Sequence, residues 1–169
     1  MKSTSADSRL VTPLQSPRLV HLPEPVLAHA CRWAQQHSPR ESCALLTGRR
    51  SNNSLSVHRL IPCHNQVDLA HQHRAFAIDP MEVLSAEDQA LEEGEQLIGL
   101  MHSHSLAPAR PSAADITSAR SWPQTLWLIL GPDGDGRIEA RAWWADGESL
   151  HELSFSRPVP THLLWSANS

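Results

Sequence analysis

From Pro23 onward, apolar residues recur at helical spacing. Val26, Leu27, Ala30, Cys31 and Ala34 share a face, Pro25 suits the first turn, and Ser38-Pro39 ends the helix. Glu41 then leads into the short apolar run 42–47, closed by Gly48. Residues 49–54 read as a turn into a strand over 55–61, so a hairpin is expected. Residues 62–75 are polar and irregular, and Phe76-Ala77-Ile78 predicts a short strand. Asp79-Pro80 then starts a second helix, with Glu82 placed to complete a capping box and Val83, Leu84, Ala90 and Leu91 as its apolar stripe up to Gly94.

Residues 97–104 alternate as a strand does, which predicts Ile98, Leu100, His102 and His104 on one face. A third helix is predicted from Ser112 to Trp122-Pro123. Residues 125–130 form a continuous apolar run of central-strand character, and 137–144 and 150–155 follow as strands separated by Gly- and Asp-rich turns. This order implies an α/β fold, a mixed sheet of about six or seven strands with helices packed on it. Residues 18–156 are read as one domain. Residues 1–17 are read as a mobile tail and 157–169 as a loose C-terminal tail in which Leu163, Leu164 and Trp165 are candidates to dock.

Composition narrows the function classes. A chain of 169 residues suits one domain with a real core. Its formal charge is −4, with no basic run longer than Arg49-Arg50, which disfavours nucleic acid and anionic membranes as partners. Cys31, Cys43 and Cys63 lack a C-x-x-C spacing, which argues against a disulfide framework or a cysteine zinc site. The first residues lack an apolar signal core and no run approaches the ~20 residues that span a bilayer, so a cytoplasmic protein is expected.

The candidate chemistry lies between Leu97 and Asp115. Two imidazoles two residues apart project together from a strand end, and a loop leads from them to a helix headed by Ser112 and Asp115. Two neutral imidazoles and a carboxylate, with room for a fourth ligand, match a catalytic rather than a structural zinc site. Each part has a plainer reading. The chain has 11 histidines, and His71-Gln72-His73 repeats the spacing in a polar segment without a strand to hold it. Ser112-x-x-Asp115 alone reads as a capping box, and Glu41 alone as a solvated strand end. It is the combination of strand pair and helix start that supplies three ligands from two rigid elements.

His102-x-His104, seven residues, Ser112, two residues and Asp115 is similar, position for position, to the metal motif of the JAMM (MPN-plus) metalloproteases. That family places a glutamate upstream, here Glu41 in the segment 39–48, and the region from about Leu22 to about Phe155 looks like its short bacterial members. Ser105 stands where many members have Pro and Ala44 where many have Gly; neither change removes a ligand. The resemblance implies a single-domain JAMM fold, MPN-like and related in shape to the cytidine deaminases, with a mixed sheet flanked by helices. It also implies Zn2+ on His102, His104 and Asp115, a zinc-bound water as nucleophile, Glu41 as general base, and Ser112 near the oxyanion.

The implied partner is a ubiquitin-like protein, such as a sulfur carrier, cut after its C-terminal Gly-Gly. The alternatives are an isopeptidase acting on lysine-linked conjugates and a non-catalytic scaffold on the same fold. Contacts to an extended tail are expected from residues 68–78 and 105–111, by backbone hydrogen bonding. A cysteine-protease reading through Cys43 places the nucleophile inside an apolar run, where cysteine is usually inert. A zinc-deaminase reading lacks the required H-x-E and C-x-x-C.

Overall fold

A computed structural model of the chain describes residues 16–157. The two expected tails therefore lie almost wholly outside the described residues, as do Leu163, Leu164 and Trp165. The elements in order are β1 (Leu19–His21), α1 (Glu24–His37), β2 (Cys43–Arg50), β3 (Ser54–Cys63), α2 (Pro80–Glu92), β4 (Gln96–Ser103), α3 (Ala113–Ala119), β5 (Thr125–Pro132), β6 (Ile138–Ala145) and β7 (Leu150–Phe155).

The sheet is mixed and has helices packed on it, as expected, and it also closes on itself. Its seven strands close in the order β1-β3-β2-β4-β5-β6-β7. Closure depends on β1, a strand absent from the sequence-based expectation, which pairs in parallel with both β3 and β7. Three residues, Leu-Val-His, are too few to show a period of two.

Alternation along the strands divides the core in two. Ala44 and Leu46 belong to a cluster that draws on every strand and on Leu27, Ala30, Cys31 and Ala34 of α1. Cys43 and Leu45, on the opposite face of β2, join Leu100, Trp127 and Ile129 under Ala86 of α2 and Ala119 of α3. The second face is the one that carries the histidines.

Three local expectations are corrected. Ile98 packs with Met101 in the α1-side cluster rather than with Leu100, because the β2–β4 register jumps from Leu46↔Gly99 to Thr47↔Leu97 and leaves Ile98 as the extra residue of a bulge. Residues 76–78 form no strand; Ala77 alone is bonded by the preceding loop, through Asn65 Oδ1 and the Gln66 N–H. Asp79 caps α2 by accepting from Met81 N–H at 2.8 Å, but Glu82 does not complete a capping box; its carboxylate lies 3.8 Å from His64 Nδ1. Among the described residues, no helix is long and apolar enough to cross a membrane.

β4 lies between β2 and β5 and is buried from Ile98 onward. Gly99 permits this close packing, since a Cβ there would meet the Leu126 carbonyl oxygen at 2.3 Å. An alanine would recover about 0.5–1 kcal/mol of backbone entropy. Overpacking costs about 1–3 kcal/mol, and because the obstacle is backbone, the clash prevails. Gly99→Ala is therefore expected to lower the midpoint of urea unfolding; an unchanged midpoint would mean that β4 and β5 separate freely.

Candidate metal centre

The strand pairing extends past the end of β4. Ser103 N–H donates to the Ser42 carbonyl at 3.1 Å, and His104 N–H to the Leu130 carbonyl at the end of β5 at 2.7 Å. His104 thus sits on a backbone held from both sides. Beyond the loop, α3 begins with the expected capping box. Ser112 Oγ accepts from Asp115 N–H at 3.1 Å, and Asp115 Oδ2 accepts from Ser112 N–H at 2.7 Å.

The cap aims the Asp115 carboxylate at the two rings. His102 Nε2 lies 3.2 Å from Oδ1 and His104 Nε2 3.3 Å from Oδ2, and the two Nε2 atoms are 3.0 Å apart. All three side chains are buried, and their ligand atoms lie within 4.8 Å of one another, close enough to hold a metal ion.

The environment orients both rings. The Pro108 carbonyl can only accept, so its 3.0 Å contact places a proton on His104 Nδ1 and leaves a lone pair on Nε2. The loop that presents Pro108 rests on Gly131, where a Cβ would meet the Ala107 carbonyl oxygen at 2.5 Å, and Trp143 Nε1 donates to the Ala109 carbonyl at 3.3 Å. His102 is held by aromatic walls. It stacks on Phe76 with ring centroids 4.6 Å apart and meets Trp127 edge-on at 5.7 Å, while its Nδ1 is buried without a partner.

Two ring Nε2 atoms and a carboxylate converge among buried side chains. Only one proton fits between the two Nε2 atoms, so the pocket is rich in acceptors and suits a divalent cation. Burial depresses His102, which favours the neutral ring that a metal needs. For Asp115, burial acts to raise the carboxyl, but the two adjacent histidine rings and the Ser112 N–H prevail and hold it well below the usual range.

Glu41 lies beside this group. Cys43 pairs with His102, and extending that register by two residues sets Glu41 across from His104. Its side chain is 7% exposed, and burial pushes the carboxyl up to about 7, with His104 opposing the rise. A carboxylate near neutrality suits proton transfer at neutral pH. Ser112 is exposed and spends a lone pair on the cap, which leaves its O–H free to donate.

The rival residues do not assemble a site. His71 is exposed and pairs with Asp68 at 2.7 Å, and His73 is exposed. Burial pushes the Cys43 thiol up to about 12, so it holds no thiolate at neutral pH.

Sequence reasoning missed the residue that holds the Glu41 backbone. Glu41 N–H donates to the Gln72 carbonyl at 2.6 Å, and Asn65 Nδ2 donates to the Glu41 carbonyl at 3.1 Å. Asn65 also donates to the Ala75 carbonyl at 2.9 Å, and its Oδ1 accepts from Val67 N–H at 3.1 Å and Ala77 N–H at 3.2 Å. One amide thus folds the polar loop and ties it to the candidate base. No local signal marks it, because its partners come from separate segments.

The chain belongs to a known family: residues 23–146 match the model of the prokaryotic homologs of the JAB domain, the JAMM-type hydrolases. It is similar to the desampylase of Haloferax volcanii, 33% identical over 130 residues that cover 76% of this chain and 86% of that protein. It is also similar to the probable TtuB-protein conjugate cleaving protease of Thermus thermophilus, 32% identical over 118 residues, 69% of this chain and 72% of that one. The solution structure of a Desulfitobacterium hafniense protein superposes with a TM-score of 0.70 at 26% identity, covering 85% of this chain and 94% of its own.

Removing the Asn65 amide strands four backbone groups, each worth about 1–3 kcal/mol if left unsatisfied. Asn65→Ala should therefore destabilise the protein measurably in urea. Asn65→Asp should destabilise it as well, because it keeps the two acceptances but sets a carboxylate against the Glu41 and Ala75 carbonyls. If Asn65→Asp unfolds like the unmodified protein, those donations contribute nothing.

Proposed function

We propose that this hydrolase is a zinc metallopeptidase that cuts after the C-terminal Gly-Gly of a small ubiquitin-like protein. The observation that carries this reading is the convergence of His102 Nε2, His104 Nε2 and the Asp115 carboxylate beside a buried Glu41 whose carboxyl stands at about 7. A zinc ion bound by those three side chains would supply the Lewis acidity that makes water a nucleophile at neutral pH.

Glu41 takes the proton from the attacking water and passes it to the leaving amine. Ser112 keeps its lone pair on the Asp115 N–H and turns its O–H toward the oxygen that gains charge in the tetrahedral intermediate. The Pro108 carbonyl holds the His104 Nδ1–H and so keeps Nε2 turned toward the site. The aromatic walls around His102 keep bulk water from that side of the site.

A groove of about 230 Å³, lined by Phe76, Ala77, Ile78, Ser118, Ser121 and Trp122, adjoins the ring that stacks on His102. In the extended segment 75–77, the Ala75 carbonyl and the Ala77 N–H and C=O are taken by Asn65 and the Gln66 N–H. Alternate groups of an extended chain point to opposite sides, so the N–H and C=O of Phe76 are left for an incoming strand. A Gly-Gly tail has no side chain to read, and pairing of this kind is how it would be held. The loop 105–111, also expected to touch the tail, does not line this groove.

The relatives' names favour one variant of the reading. Conjugate cleavage is what the Thermus thermophilus protein is named for, and a lysine-linked conjugate presents the same Gly-Gly on the acyl side of the scissile bond. The isopeptidase therefore stands beside the linear-tail peptidase as the second reading.

His104→Ala and Asp115→Ala should each lose stoichiometric zinc by metal analysis. Glu41→Gln should keep zinc and lose about 10²- to 10⁴-fold in kcat; a Glu41→Gln protein without zinc would make Glu41 a ligand and overturn the mechanism. Mass measurement on a ubiquitin-like protein with residues appended after Gly-Gly, and on the same protein linked to a lysine, should show a product ending in glycine from at least one. Stable binding without cleavage by the zinc-loaded protein would favour the scaffold.

A further inference from the structure

The segments that hold the site carry exposed cations, although the chain as a whole is anionic. The chain carries a formal charge of −4, and residues 79–95, which make up α2 and its flanks, contain no Lys, Arg or His but include Glu82, Glu87, Asp88, Glu92, Glu93 and Glu95. The segments that hold the site are different.

Arg40 directly precedes Glu41. Arg74 follows Gln72, whose carbonyl holds the Glu41 N–H, by two residues, and Arg110 follows Pro108, whose carbonyl holds His104, by two residues. All three arginines are exposed, and none takes part in an ion pair or side-chain hydrogen bond among the described residues. The exposed acid in these segments, Asp68, is engaged by His71 Nδ1 at 2.7 Å. The same two loops present the bare apolar side chains Leu69, 71% exposed, and Leu106, 90% exposed.

Unpaired guanidiniums and freely exposed leucines, carried by the same loops that hold Glu41 and His104, contribute nothing to folding that smaller polar residues would not. Cations and apolar area together match a protein surface that is acidic around an apolar patch.

We propose that Arg40, Arg74 and Arg110, with Leu69 and Leu106, form the docking surface for the folded body of the partner, and that this body is acidic around the base of its tail. The proposal rests on the peptidase reading in naming a ubiquitin-fold partner, and it adds the charge that partner must carry. A tail without side chains leaves most of the affinity to the body. Cations next to the site of an anionic enzyme draw an acidic body there and turn away basic ones.

The test uses zinc-loaded full-length protein and two substrates. One is a ubiquitin-fold protein that is acidic around a tail ending in Gly-Gly-amide-fluorophore; the other is the same protein with those acids changed to Lys. The acidic substrate should be cut at least about tenfold more efficiently, and the preference should shrink as ionic strength rises from about 0.05 to about 0.5 M. Arg74→Glu combined with Arg110→Glu should reverse the preference through KM, with zinc content unchanged. Glu87→Lys combined with Asp88→Lys on α2 should leave the preference as it is.

Equal processing of the two substrates at low salt, or no reversal in the arginine variant, overturns the docking surface while leaving the peptidase intact. If neither substrate is cut, the peptidase reading fails. The docking surface is then judged by calorimetric binding of the same pair to the wild-type and arginine-reversed proteins, where absence of a charge preference overturns it.

Discussion

Two imidazole nitrogens 3.0 Å apart, each within 3.3 Å of one carboxylate, are costly to bury unless their positions are imposed by structure that does not give way. Much of the molecule meets that demand. β4 is clamped between β2 and β5, with ladders that run one residue past its end. The Asp115 rotamer is set by a helix cap, and the Pro108 carbonyl is set by a loop resting on a glycine. These supports are backbone geometry and hydrogen bonds to the backbone, which vary less than side-chain packing. The convergence therefore survives without help from a flexible side chain.

The site also occupies a particular end of the sheet. β4 and β5 run parallel, and the loop and helix that return Asp115 leave from the carboxyl end of β4. In such pairs the crossover opens a crevice beyond the carboxyl ends of the strands. Glu41 enters from the other side, at the start of antiparallel β2. Two chain directions thus meet at one level, and the Phe76 ring that stacks on His102 separates it from the neighbouring groove.

What was legible in the sequence was local. His102 and His104 share a face because strands repeat every second residue, and Ser112 and Asp115 form a box because helix starts have a fixed spacing. Both patterns lie within a few residues and report little else. Glu41 is a different case, since its own surroundings in the sequence mark only a strand end and the resemblance alone singled it out. Ile98 was misplaced because a bulge changes the phase of a strand without changing its composition. Asn65 escaped notice because its four partners are spread from Glu41 to Ala77. Sheet closure escaped notice because it hangs on β1, three residues that only tertiary pairing makes a strand.

That small strand has a consequence for assembly. β1 bridges β3 and β7, which lie almost a hundred residues apart along the chain, so its ladder forms only after the two ends of the sheet have come together. Contacts of such separation are made late and slowly. Until they form, β3 and β7 present unpaired backbone that another nascent copy can complete. The Leu-Val-His segment therefore works as a seal against edge-to-edge association, and the interval before it seats is when this protein is most exposed to aggregation.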